Sequence, residues 1–204
     1  MLFDDTYKTI KTTSEGVFRD RGSKFIGYAY PLKDENAIKE LVNHLRSEHP
    51  KARHFCWACR LTPDRTVFRV NDDGEPSGSA GRPILNTLLS ADITNILMVV
   101  VRYFGGTLLG VPGLIHAYKQ AAMEAIQANE IVVHSLNDIY ELRFDYLLLN
   151  DVMRIIKDEQ LSVHTQQFDN TCFMGVGIRK AQLNAVLGKL EKLSGLQIQY
   201  LRTD

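Results

Sequence analysis

The chain has 204 residues, 45% of them apolar and 24% charged, a balance that excludes a disordered protein and allows one to two domains with buried cores. Lys plus Arg and Asp plus Glu both number 24, and neither side of His134 departs far from neutrality, which excludes a strongly basic binder that reads many phosphates. No apolar run nears the roughly 18 residues of a membrane span; the acidic start MLFDDTYKTIK does not suit a secretory signal, and three cysteines are too few for a disulfide framework, so the reading is a reduced, cytoplasmic protein with no membrane association.

In chain order, YKTIKTT and FRDRGSKFIGYAY read as strands, the second with a turn at Arg21-Gly22-Ser23 and an end at Pro31. Asp34 is placed to cap a helix whose face is Ala37, Ile38, Leu41, Val42 and Leu45. HFCWACRL and TVFRV follow as strands joined at Thr62-Pro63-Asp64. The glycine-rich NDDGEPSGSAGRPIL leads into a short helix from about Gly81 through Leu85, Leu88, Leu89 and Asp92, with Pro83 in its first turn. ILMVVV is apolar throughout, as in a strand covered on both faces. After RYFGGTLLGVPG, the stripe Leu114, Tyr118, Ala121, Ala122, Ala125 and Ile126 predicts an amphipathic helix.

The composition shifts near Val133. Tyr140, Leu142, Phe144 and Tyr146 alternate with charged residues as a half-buried strand. Leu148, Val152, Ile155 and Ile156 then make a helix face. Strands around Val163 and over CFMGVGI meet at an expected hairpin turn, Asp169-Asn170. Leu183, Val186, Leu187, Leu190 and Leu193 make a second helix, ended by Gly195, before the closing strand LQIQYL. The order β-α-β-β-α-β is the ferredoxin-like split arrangement.

Cys56-Trp57-Ala58-Cys59 has the form CxxC without a second pair, so the zinc reading is weak. Three apart in a strand, the two sulfurs should face opposite sides of a sheet, with one in the core. His54 shares the parity of Cys56 and reads either as a strand-end histidine or as a general base. No nucleophile–base pair or metal motif is identifiable, which leaves catalytic residues unassigned and favours a binding protein over an enzyme.

The segment Asp72–Gly81 is the main candidate site. Its glycines admit close backbone approach, and the N–H groups of the following helix suit a phosphate, with Ser77 and Ser79 as added donors. Asp72, Asp73 and Glu75 would repel that phosphate unless Mg²⁺ or an arginine intervenes. The competing reading is a long surface turn with capping serines. Arg102, at the end of the most apolar strand and followed by Tyr103, Phe104, Gly105 and Gly106, pairs either with a phosphate or with Glu75, the latter a structural ion pair tying two loops together. The candidate ligand-binding set is therefore Asp72, Asp73, Glu75, Ser77, Gly78, Ser79 and Gly81 of the loop, Arg102, Tyr103, Gly105 and Gly106 of the strand end, with His54 and Lys119. These residues are expected to converge on one concave spot.

GRPILNTLLSADITNILMVVVRYFGGTLLG resembles the signature stretch of the Impact/YigZ family at Gly81, Ile84-Leu85, Leu88, Ile93, Val99-Val100, Arg102, Tyr103-Phe104, Gly105-Gly106, Leu109 and Gly110, and DDGEPSGSAG before it is similar too. The part after His134 resembles the C-terminal domain of the bacterial YigZ branch, so the likeness spans essentially the whole chain. It implies an α+β protein: a ribosomal protein S5 domain 2-like domain at 1–134, then a ferredoxin-like domain at 135–204. It also implies a role in translation, since eukaryotic Impact members regulate translation through protein–protein contact. The expected function is a non-enzymatic regulatory or binding protein that meets RNA, the ribosome or a translation-associated protein through a Gly/Ser/Arg-lined groove. The alternative is an enzyme or sensor that takes a phosphorylated small molecule or nucleotide, with Mg²⁺, at DDGEPSGSAG.

Overall fold

The apolar run at 96–101 becomes the central strand of a five-stranded antiparallel sheet in the computed structural model, which describes residues 5–169 and 171–203. The chain divides into two compact units, Tyr7–His134 and Ser135 onward, the latter with Asp5 and Thr6. The first unit contains β1 (Thr6–Ile10), β2 (Ser14–Asp20), β3 (Ser23–Pro31), α1 (Ile38–Glu48), β4 (His54–Leu61), β5 (Val67–Asn71), α2 (Gly81–Ser90), β6 (Ile96–Tyr103), α3 (Gly110–Gln127) and β7 (Ile131–Ser135). The sheet order is β2-β3-β6-β4-β5, and β1 pairs with β7 separately.

Strand periodicity sorts β6 between two cores. Ile96, Met98 and Val100 join α2 and α3 on one face, with Phe25, Ala58, Leu88 and Tyr118. Leu97, Val99 and Val101 join α1 on the other, with Ile26, Val42 and Leu45. Every residue from Ile96 to Val101 is fully buried, as a continuous apolar run requires. Cys56 packs in the first core and Cys59 in the second. The sulfurs do lie on opposite sides of the sheet, but both are buried rather than one, because α1 covers the second face. Asp34 caps the chain as expected, its Oδ1 accepting from Asn36 N at 3.0 Å, though a 3₁₀ turn over Glu35–Ala37 precedes α1.

The second unit contains β8 (Asn137–Asp145), α4 (Leu149–Asp158), β9 (Ser162–Phe168), β10 (Thr171–Arg179), α5 (Leu183–Leu190) and β11 (Gln197–Thr203). Its antiparallel sheet has the order β11-β8-β10-β9. Leu142 and Phe144 of β8 and Cys172, Met174, Val176 and Ile178 of β10 pack with Val152, Ile155, Ile156, Val186 and Leu190 of the helices. Three expectations shift. Tyr146 leaves the strand for a 3₁₀ turn and is exposed, because the Asp145 side chain accepts from Leu147 N and starts that turn. The last helix ends at Leu190, so Leu193 packs from beyond it, and Gly195 (φ +92°) serves the turn before β11 instead. Asn170 of the expected hairpin turn lies outside the described residues.

Candidate functional site

Antiparallel register lines up Phe18, Phe25, Arg102 and His54 across β2, β3, β6 and β4. Same-face side chains in such a row are neighbours, so the register sets an arginine between an aromatic ring and a histidine where β6 ends. The Arg102 guanidinium carbon lies 5.4 Å from the Phe25 ring centre and 5.7 Å from that of Phe104. The side chain is 7% exposed, and Nη1 donates to Glu75 Oε1 at 2.5 Å, with Glu75 itself 4% exposed. Of the two roles open to Arg102, the structural pair with Glu75 is the one formed.

Tyr118 of α3 also donates to Glu75 Oε1, at 2.8 Å, and Cys56 Sγ lies 3.3 Å from the Tyr118 hydroxyl. The polar chain Cys56–Tyr118–Glu75–Arg102 thus joins β4, α3, the 72–81 loop and β6 inside the sheet–helix core. Burial pushes the ionisation of both the Tyr118 phenol and the Cys56 thiol far up, so both stay protonated donors.

The loop's other carboxylates are engaged by backbone N–H groups and by an arginine. Asp72 accepts from Gly78 N (2.9 Å), Ala80 N (3.1 Å) and Gly81 N (2.8 Å). These are the N–H groups the sequence offered to a phosphate at the start of α2. A carboxylate from the same chain fills that place and caps the helix from nine residues upstream. Asp73 takes Phe55 N at 2.7 Å and Arg46 at 2.7 Å. Ser79 is buried and donates to Pro76 O, while Ser77 is exposed. Each carboxylate offered to Mg²⁺ therefore has a protein partner, and among the described residues no group of three or more His, Cys, Asp or Glu is arranged to hold a metal ion.

Gly74–Pro76 of the loop and the end of β6 meet at a concave surface, but Asp72, Asp73, Ser77, Gly78, Ser79 and Gly81 do not line it. A cleft of about 730 Å³ is lined by Gly74, Glu75, Pro76, Arg102, Tyr103 and Phe104, by Lys51, Arg53 and His54 entering β4, and by Leu108–Val111 and Leu114 where α3 begins. His54 Nδ1 lies 2.9 Å from Asp73 O; a carbonyl only accepts, so Nδ1 carries the proton and Nε2 is left to the cleft. Tyr103 is held by a 2.8 Å bond between its hydroxyl and His49 Nδ1. Gly105 does not line the cleft. A Cβ there would stand 1.9 Å from the Gly22 carbonyl carbon, so the glycine lets the β6 end lie against the β2–β3 turn, where Gly105 N donates to Ser23 Oγ at 3.1 Å. Gly106 (φ +87°) is exposed beside it. Lys119 lies elsewhere, exposed in a separate groove with Met123 and Thr87, because α3 turns that face away from the cleft.

The Impact N-terminal domain family matches residues 21–126, which hold the whole cleft and just over half of the chain. The chain belongs to the Impact family. An Impact family member of Haemophilus influenzae is 34% identical over 88% of this chain and 89% of its own length. The Impact family member YigZ of Escherichia coli is 30% identical over 88% and 89%. Among solved structures, the crystal structure of a hypothetical protein superposes with a TM-score of 0.72 at 27% identity, covering 97% of this chain and 98% of that one. A structure of Yih1, described as a two-domain translational regulator, aligns over 63% of this chain and 49% of its own at 25% identity and a TM-score of 0.36.

Sequence reading missed two cations of this Impact domain, Lys51 and Arg53. Both are exposed and neither forms an ion pair with a described residue. The signal was the run Lys51-Ala-Arg53-His54 ahead of a strand, three basic side chains within four residues. Replacing Asp72 by Ala removes the acceptor for three N–H groups. The expected loss is about 0.5–2 kcal/mol, as for a helix cap, read as a lower urea midpoint; an unchanged midpoint would show that the cap is dispensable.

Proposed function

We propose that this Impact family protein is a non-enzymatic regulatory protein linked to translation, and that the cleft of its first unit receives a ribosome-associated or other translation-associated protein. The observation that carries the reading is that two cations, Lys51 and Arg53, without an ion-pair partner among the described residues, stand with exposed apolar side chains, Phe104, Leu108 and Val111, around one cleft. Apolar anchors beside charges that complement a partner are what a protein interface uses. The balanced net charge favours such a contact over an extended RNA backbone. The phosphorylated-ligand alternative at the 72–81 loop finds its backbone donors engaged by Asp72.

In this reading the domain spanning 1–134 has the ribosomal protein S5 domain 2-like fold and the domain spanning 135–204 is ferredoxin-like. The βαββαβ order and the β11-β8-β10-β9 sheet support the second assignment. Wild-type protein should cosediment with ribosomes at low salt and be released as salt rises. Lys51→Glu with Arg53→Glu should weaken that association at least tenfold while leaving the circular dichroism spectrum and melting temperature intact. Full retention by the folded double variant would refute the cleft as the contact.

A further inference from the structure

We propose that the cleft also binds a phosphomonoester with an apolar or aromatic body, so that a small phosphorylated molecule competes for the surface offered to a macromolecular partner. The competition rests on the translational reading, whereas the binding itself rests on the chemistry of the cleft lining.

Four features of its lining carry this. Lys51 and Arg53 enter β4 with no ion-pair partner among the described residues, so their charge is free for a ligand. His54 Nε2 is left over after Nδ1 has donated to Asp73 O. In either protonation state it pairs with a phosphate oxygen, accepting from P–OH or donating to P–O⁻. The buried Arg102 lines the same cleft and keeps Nε without a hydrogen-bond partner even though Nη1 is bound to Glu75. A buried guanidinium N–H left unbonded is costly. Finally, the 18-residue α3 opens on the cleft at Gly110 and Val111 with no capping side-chain bond and no acidic residue in its first turn. This contrasts with α2, whose opening N–H groups Asp72 already occupies. Cations, free N–H groups and a positive helix end together select a compact anion, and a phosphate suits them.

The rest of the cleft sets the size of the body. Its volume of about 730 Å³ is that of a small-molecule site. In the same lining, Leu108 is 83% exposed and Phe104 55% exposed. These side chains are placed to cover an apolar or aromatic ring.

The test is calorimetric titration of the full chain at low salt with inorganic phosphate, adenosine 5′-monophosphate, adenosine and a short single-stranded oligonucleotide. Phosphate and the monophosphate should bind saturably, the monophosphate more tightly, and adenosine should not bind. Lys51→Ala with Arg53→Ala should weaken both phosphate probes at least tenfold, about 1.4 kcal/mol, with the unliganded melting temperature unchanged. Leu108→Ala should weaken the monophosphate severalfold and leave inorganic phosphate alone. Binding of adenosine as tight as the monophosphate, no saturable binding of either phosphate probe, or full affinity in the folded double variant would each overturn the proposal. An oligonucleotide binding tenfold more tightly than the monophosphate would overturn it in favour of RNA.

Discussion

Arg102→Ala is expected to destabilise the first unit by about 3–5 kcal/mol, the cost of leaving one member of a buried ion pair alone. Both side chains are more than nine-tenths buried, and Glu75 would keep only the Tyr118 hydroxyl. Phe25 and Tyr118 pack beside the pair, their ring centres 5.1 Å apart. Urea unfolding measures the loss. Replacing the pair together, Arg102→Met with Glu75→Leu, should recover part of it, since two apolar groups carry no desolvation cost. A loss below 1 kcal/mol in Arg102→Ala would mean that the pair does not tie the loop to the sheet.

The second large effect is one of packing and not of charge. Gly16 of β2 lies under α3, where a Cβ would fall 2.2 Å from Ala125 N and 2.4 Å from the Glu124 carbonyl carbon. Those are backbone atoms of a packed helix, so the helix itself must move. Gly16→Ala should therefore cost about 1–3 kcal/mol or more through overpacking. Gly188 of α5 is the natural control, since a Cβ there meets nothing within 4 Å. Gly188→Ala should raise stability by about 0.5–1 kcal/mol, because alanine is the better helix former. Equal responses in urea at the two positions would show that α3 does not press on β2 as described.

These contrasts explain what could be read in advance. Periodicity is a local property, so the apolar run at 96–101 announced a strand buried on both faces, and the spacing of Cys56 and Cys59 announced opposite sides of a sheet. The same locality hid the site's wiring. Asp72 caps α2 from nine residues away, and Tyr118 reaches Glu75 across 43 positions. Neither partner carries a sequence mark, so the Gly/Ser loop read as an anion cradle when its carboxylate already filled that place. Lys119 looked equivalent to the other cations because residue type does not reveal where a helix face points. Lys51 and Arg53 went unremarked because two exposed cations ahead of a strand are common; only the cleft beside them gives them a role.

Partners are expected to meet this protein at the cleft of its first unit. A photo-reactive amino acid at position 108, at the cleft mouth, tests it most directly, with the exposed position 147 of the second unit as control. Irradiation in cells should link position 108 to components of the translation apparatus, and excess Lys51→Glu, Arg53→Glu protein should fail to compete the link away. Cross-links from position 147 with none from position 108 would contradict the account.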